Sequence, residues 1–244
     1  MVGVSTIALI ERKPDISRDL FTRYWRDVHG VMAARIPGFE SYTQYHVTPV
    51  STTAEPFEGI AIVTFAGEAD RQGLATSEIT KHIHRDEQNV FRRALLYNLD
   101  GAACRSTGDG DRQAKAARFF VLPAGIEQAP LVDAIADATW CDRYDLTSGD
   151  PAGWNDTDID GCRFVTLVHA GWADDAAVDA SVAQLADMIP AYRLDDAHVM
   201  VEGGFPTPVG LRGLDAVRTI NEAGADNQLA ADVVRAIYGA ALAG

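Results

Sequence analysis

Residues 15–47 read DISRDLFTRYWRDVHGVMAARIPGFESYTQYHV, the most strongly patterned stretch of this 244-residue chain. Asp15 or Ser17 offers a side-chain oxygen to the free amides of a first helical turn. Apolar residues recur at Ile16, Leu20, Phe21, Tyr24, Trp25, Val28 and Met32, with Arg18, Arg23, Arg26 and Asp27 largely on other faces. That is the spacing of an amphipathic helix. Pro37-Gly38 stops it and starts a turn. In the strand that follows, residues 39–47, side chains alternate between faces. Tyr42, Gln44 and His46 therefore share one side, and Thr43, Tyr45 and Val47 the other. The first set is too polar to pack dry against a helix, which predicts that it faces a cavity while the second set lies under the helices.

Working outward, residues 4–11 form a β-branched apolar run suited to a buried strand, and residues 59–65 form another. From Gly67 the chain is polar and helix-compatible to about Leu96, with a short strand expected over residues 99–105. Strand, helix, strand, strand, helix, strand is the order of a ferredoxin-like unit. The order then repeats: strand 119–122, helix 126–138, strand 140–146, an acidic loop 150–160, strand 162–168, helix 174–189 and strand 192–201. After Gly203-Gly204, residues 211–221 and 227–242 read as helices, the second with an apolar face at Leu229, Val233, Val234, Ile237 and Tyr238. The expected organisation is a first unit over 1–106, a linker over 107–116, a second, degenerate unit over 117–203 and a helical extension over 204–244. The fold class is α+β: tandem ferredoxin-like units whose antiparallel sheets pack face to face into an α+β barrel around a central cavity.

Hydrophobic content of 47% and charged content of 23% are those of a globular protein. A formal net charge of −14 opposes binding to nucleic acid or to an anionic membrane, both of which need a basic footprint. No secretory leader pattern and no apolar run long enough to span a bilayer stand out, so a cytoplasmic location is expected. The three cysteines, Cys104, Cys141 and Cys162, form no CxxC pair and read as reduced thiols. Glycine-rich phosphate loops and hydrolase elbows are also missing, and no cofactor is expected. A homodimer contact through the helices or the tail stays open.

His29 suits general acid/base chemistry, because imidazole titrates near neutral pH. Its alternative is a partly buried ring bonded to a backbone carbonyl at the helix end. On the strand, Tyr42 could donate to a developing enolate, Gln44 could orient a substrate and His46 could carry a proton. In the run KHIHRDE, residues 81–87, His82 and His84 point well apart on a regular helix, so no metal site is expected and one of the two, His82 or His84, is expected to reach the cavity. His169 and His198 read as structural histidines. The acidic loop around Asp156, Asp158 and Asp160 lacks the last ligand of a calcium loop.

Phe21, Tyr24-Trp25, His29, Pro37-Gly38, Tyr42 and the strand ending at His46 resemble the signature region of EthD-domain proteins, within the dimeric α+β-barrel superfamily. The second half matches only in outline. The resemblance implies one functional site in the first unit. It implies a cofactor-independent lyase or isomerase of dehydratase or cyclase type, acting on a hydrophobic oxygenated aromatic or polyketide-like small molecule. Similar muconolactone-isomerising barrels carry an active-site histidine and tyrosine at positions matching His29 and Tyr42. The expected site is therefore His29, His46 and Tyr42 as catalytic groups, with Tyr24, Trp25, Gln44 and His84 binding substrate. Alternatives are an oxidoreductase of the same superfamily, cofactor-free or haem-dependent, and a non-catalytic small-molecule binder.

Overall fold

The computed structural model describes residues 3–74, 77–99, 101, 104–114, 116–146, 149–151 and 163–232. Asp156, Asp158, Asp160, Cys162 and the tail positions Val233, Val234, Ile237 and Tyr238 lie outside them. In chain order, β1 (Val4–Arg12) leads into α1 (Arg18–Tyr24), a π-helical turn (Trp25–His29) and α2 (Gly30–Ala33), which run on as one helix. β2 (Phe39–Pro49), β3 (Phe57–Phe65), α3 (Glu68–Leu74), α4 (Glu78–Val90) and β4 (Phe91–Leu99) complete the first unit. After β5 (Cys104–Thr107), the second unit comprises β6 (Arg118–Pro123), α5 (Ala129–Ala134), β7 (Trp140–Asp145), the short β8 (Gly149–Pro151), β9 (Phe164–Gly171), α6 (Asp175–Leu185) and β10 (Ala191–Glu202). β11 (Phe205–Pro206), α7 (Pro208–Arg212) and α8 (Leu214–Glu222) follow.

The strands run in the order β2-β3-β1-β4 in the first unit and β7-β9-β6-β10 in the second, with every pairing antiparallel. Both orders are those of a ferredoxin-like unit, so the tandem βαββαβ reading holds. β10 pairs with β2 and joins the sheets on one side. On the other, β8 pairs with β4 and β5 with β7, which brings the curled sheet close to a full barrel. No helix of the described residues is long and apolar enough to cross a membrane.

Three differences from the sequence reading share one cause, the packing between elements. First, Phe91–Leu99 is the fourth strand and not the end of a helix: Leu9 faces Leu95 and Ile7 faces Tyr97 across β1. Long-range pairing outweighs the helix preference of Arg-Arg-Ala-Leu-Leu. Second, the barrel interior, expected to enclose a central cavity, carries packed and buried side chains among the described residues. It is filled by one cluster that includes Leu9, Tyr45, Val47, Tyr97, Phe119, Trp140 and Tyr192, as befits a small barrel closed by its own side chains. Third, the parity of β2 is as expected but its faces are exchanged. Tyr45 and Val47 point into the barrel, whereas Tyr42 packs with Trp25 and Phe21 beneath the first helix.

That helix buries Phe21, Trp25, His29, Gly30 and Ala33, while Leu20 and Val28 of the expected stripe stay exposed. Trp25 lies over Gly59, where a Cβ would meet the indole at 2.8 Å. The break after α2 turns on Gly38, whose φ of +84° is open to glycine and costly for other residues.

Candidate active site

Ser17 caps the first helix, its Oγ accepting from the Leu20 amide at 3.2 Å. Eight residues on, the helix widens into the π turn, where the Gly30 amide bonds to the Trp25 carbonyl five residues back. Such turns are rare and need outside support. Gln44 supplies it from β2: its Nε2 donates to the Trp25 carbonyl and to the Tyr42 phenolic oxygen, both at 2.8 Å. These bonds explain how a polar strand face packs under a helix. Gln44 thus bonds both Tyr42 and the backbone carbonyl above them, while its Oε1 is buried without a hydrogen-bond partner among the described residues.

The π turn sets His29 against α4. Its Nδ1 lies 2.9 Å from Asp86 Oδ2, and both side chains are buried. The Tyr24 hydroxyl donates to the other carboxylate oxygen at 2.6 Å and accepts from Asn89 at 3.1 Å. A carboxylate only accepts hydrogen bonds, so Asp86 fixes the His29 proton on Nδ1. In the neutral ring, Nε2 is then the nitrogen with a free lone pair. On α4, Ser77 caps the start, and Thr80, Ile83, Asp86 and Val90 turn inward.

Between these helices and the outer face of the first sheet lies a cavity of about 160 Å³. Its floor includes Ala8, Ala61 and Ala94, its walls include Ile10, Phe39, Phe65 and Phe91, and its polar lining includes His29, Tyr42, Thr80, His84 and Glu87. A void of this size has room for about one benzene ring. Burial pushes the Tyr42 phenol well above its ordinary value, more than offsetting the Gln44 hydrogen bond that lowers it. The hydroxyl therefore stays protonated and available as a donor.

The expected site residues divide between two places. His29, Tyr42, Trp25 and His84 line the cavity. Tyr24 does not line it and instead braces Asp86 from behind. Gln44 and His46 turn away from a central cavity, contrary to expectation. His46 lies edge-on to Trp25, with ring centroids 4.7 Å apart, and edge-on to His198 at 5.3 Å. Neither of its ring nitrogens has a hydrogen-bond partner among the described residues. Burial holds this imidazole down at about 3, with His198, Arg26 and Arg18 acting in the same direction and Asp27 against it. His82 is exposed.

Two groups of the site were missed from sequence, Asp86 behind His29 and Glu87 in the cavity lining. Asp86 and Glu87 sit in a charged run, and only their place on the stripe of Thr80, Ile83 and Val90 hinted that they turn inward. His169, expected as a satisfied structural histidine, is buried in the barrel against Phe119 with neither nitrogen bonded.

No group of three or more metal-ligating side chains gathers among the described residues. A haem needs an axial side chain and a slot for a whole porphyrin. The cavity admits about one ring, and the corresponding space of the second unit is packed with Phe120, Leu122, Leu131, Trp172 and Leu185. The described residues do not fit a haem.

The family profile of the EthD domain matches residues 13–93, a span that contains the first helix, β2, β3 and α4 with both His29 and Asp86. Residues 13–93 form an EthD domain. No curated protein matches the chain. Among solved structures, an anthrone oxidase-like protein is 11% identical with a TM-score of 0.49, covering 82% of this chain and 94% of its own. An EthD family protein from Bacillus halodurans C-125 is 19% identical, covering 36% of this chain and 85% of its own with a TM-score of 0.29. A mutant chlorite dismutase from Candidatus Nitrospira defluvii is 9% identical, covering 78% and 91% with a TM-score of 0.36. Similarity this distant assigns no reaction to the EthD-domain chain.

Proposed function

We propose that the cavity of the EthD domain is the active site of a cofactor-independent lyase or isomerase. His29 Nε2 removes a proton from a carbon next to the carbonyl of a small oxygenated substrate. As the C–H bond breaks, its electron pair moves into a new C=C bond and the carbonyl oxygen takes up negative charge. The Tyr42 hydroxyl donates to that oxygen, and Asp86 steadies the imidazolium that forms. The largely apolar lining lowers the local dielectric and strengthens each of these interactions. The observation that carries this reading is the buried 2.9 Å contact between His29 and Asp86, which leaves the second ring nitrogen for the cavity. Glu87 is the carboxylate of the cavity lining, and this reading assigns it the relay of the returning proton in a dehydration or isomerisation.

Cyclohexanone in heavy water tests the proposal without knowledge of the natural substrate. The protein is expected to speed deuterium uptake next to the carbonyl, and His29→Ala to reduce that rate by about 10²–10⁴-fold, the usual range for one acid/base group. His46→Ala should retain it. Equal exchange by the His29→Ala variant and the parent would remove His29 from the role of base.

A further inference from the structure

We infer that the alanine floor of the cavity sets the ligand class: one six-membered ring, planar or nearly so, carrying a phenol, enol or ketone oxygen. This rests on the proton-transfer reading above for the oxygen, and on the floor alone for the ring size. Ala8 and Ala61 face each other across β1 and β3, and Ala94 stands on β4 opposite Ile10. Three neighbouring strands thus stop at Cβ on the same face, and the cavity lies over that patch. The fold does not demand small residues there. In the second unit the helix-facing side of the sheet carries Phe120, Leu122 and Val168, packed against α5 and α6. Replacing such side chains with alanines leaves space, which close-packed surroundings fill only in part.

The walls are fixed as well. Phe65 and Phe91 are buried in the same cluster as the alanines Ala61 and Ala94, so widening the cavity means repacking the core of the unit. A volume of about 160 Å³ matches a single ring and is too small for the fused rings of a polyketide. Apart from Thr6 on β1, the polar groups come from the first helix, β2 and α4, whereas the three alanines are apolar. A ring therefore lies on the alanines with its oxygen towards His29 and Tyr42.

Binding of phenol, benzene and 2-naphthol to the full chain, followed by calorimetry and NMR, tests this. Phenol should bind at least tenfold more tightly than 2-naphthol. Ala61→Leu should weaken phenol at least tenfold, leave the proton resonance of the His29–Asp86 hydrogen bond in place and leave the melting temperature unchanged or raised. Ala94→Val, a smaller filling of the same floor, should give the same pattern more weakly, and it serves if the larger change disturbs folding. Phenol affinity within twofold of the parent in both folded variants, or 2-naphthol binding as tightly as phenol, overturns the ring-size assignment. Benzene binding as tightly as phenol, with both blocked by Ala61→Leu, upholds the ring size and overturns the oxygen requirement together with the proton-transfer reading.

Discussion

At the scale of the residue, the chemistry rests on which nitrogen of His29 holds the proton. Asp86 decides this because it can only accept, and Tyr24 keeps it turned by occupying its other oxygen at 2.6 Å. Asp86→Asn replaces an acceptor by a group that can also donate, so the imidazole is free to adopt the tautomer that points a proton into the cavity. Exchange of cyclohexanone should fall about a hundredfold in that variant, within the range of a lost acid/base function, with fold and cavity preserved. An unchanged rate would show that the carboxylate does not orient the base. His29 and Tyr42 were legible from sequence as candidates. Asp86 was not, because its partner lies 57 positions away on another helix and periodicity reports only which residues share a face. His46 was misplaced for a related reason. Strand alternation says which side chains go together and is silent on which side of the sheet the helices cover.

At the scale of the element, the π turn decides where His29 points. A regular helix would pair the Trp25 carbonyl with the amide of His29, and the residues after it would rotate by about 100°. Gln44 holds the wider turn from outside, so it is a positioning residue for His29. Gln44→Leu removes both of its donated bonds while keeping the volume close. The expected result is a shift or loss of the His29–Asp86 proton resonance and a fall of roughly tenfold or more in exchange rate, with KM changed less than kcat. If the variant merely melts earlier and the resonance stays in place, Gln44 supports the fold without aiming the base. The helix, its Pro-Gly stop and the next strand could all be read from residues 15–47. The π turn could not, since nothing in the local pattern distinguishes five-residue from four-residue hydrogen bonding there.

At the scale of the whole molecule, element order was enough to read two ferredoxin-like units, because hydrophobic runs and turn residues mark strands and helices locally. The location of the cavity was not, because it depends on whether the barrel interior is filled, and that is set by side chains from both units. Burial under the first helix, for His46, and inside the barrel, for His169, has a consequence for stability. Burial lowers the imidazoles of His46 and His169 from 6.5 to about 3, and both remain neutral in the folded chain. The unfolded chain binds those protons at higher pH than the folded one does. Stability is therefore full above about pH 6.5 and declines as pH falls towards 3, by an amount on the order of a few kcal/mol for each ring. The melting temperature should drop between pH 6.5 and 4, and His169→Phe, which keeps the stacking on Phe119, should flatten part of that slope; identical slopes in variant and parent would contradict it. The central claim, that the working cavity lies between sheet and helices of the EthD domain and not inside the barrel, is tested most directly by where a small ring binds. Nuclear Overhauser contacts from bound cyclohexanone should reach the methyl groups of Ala61 and Ala94 and the ring of His29. Contacts instead to Tyr45, Phe119 and His169 would place the ligand in the barrel interior and contradict the account.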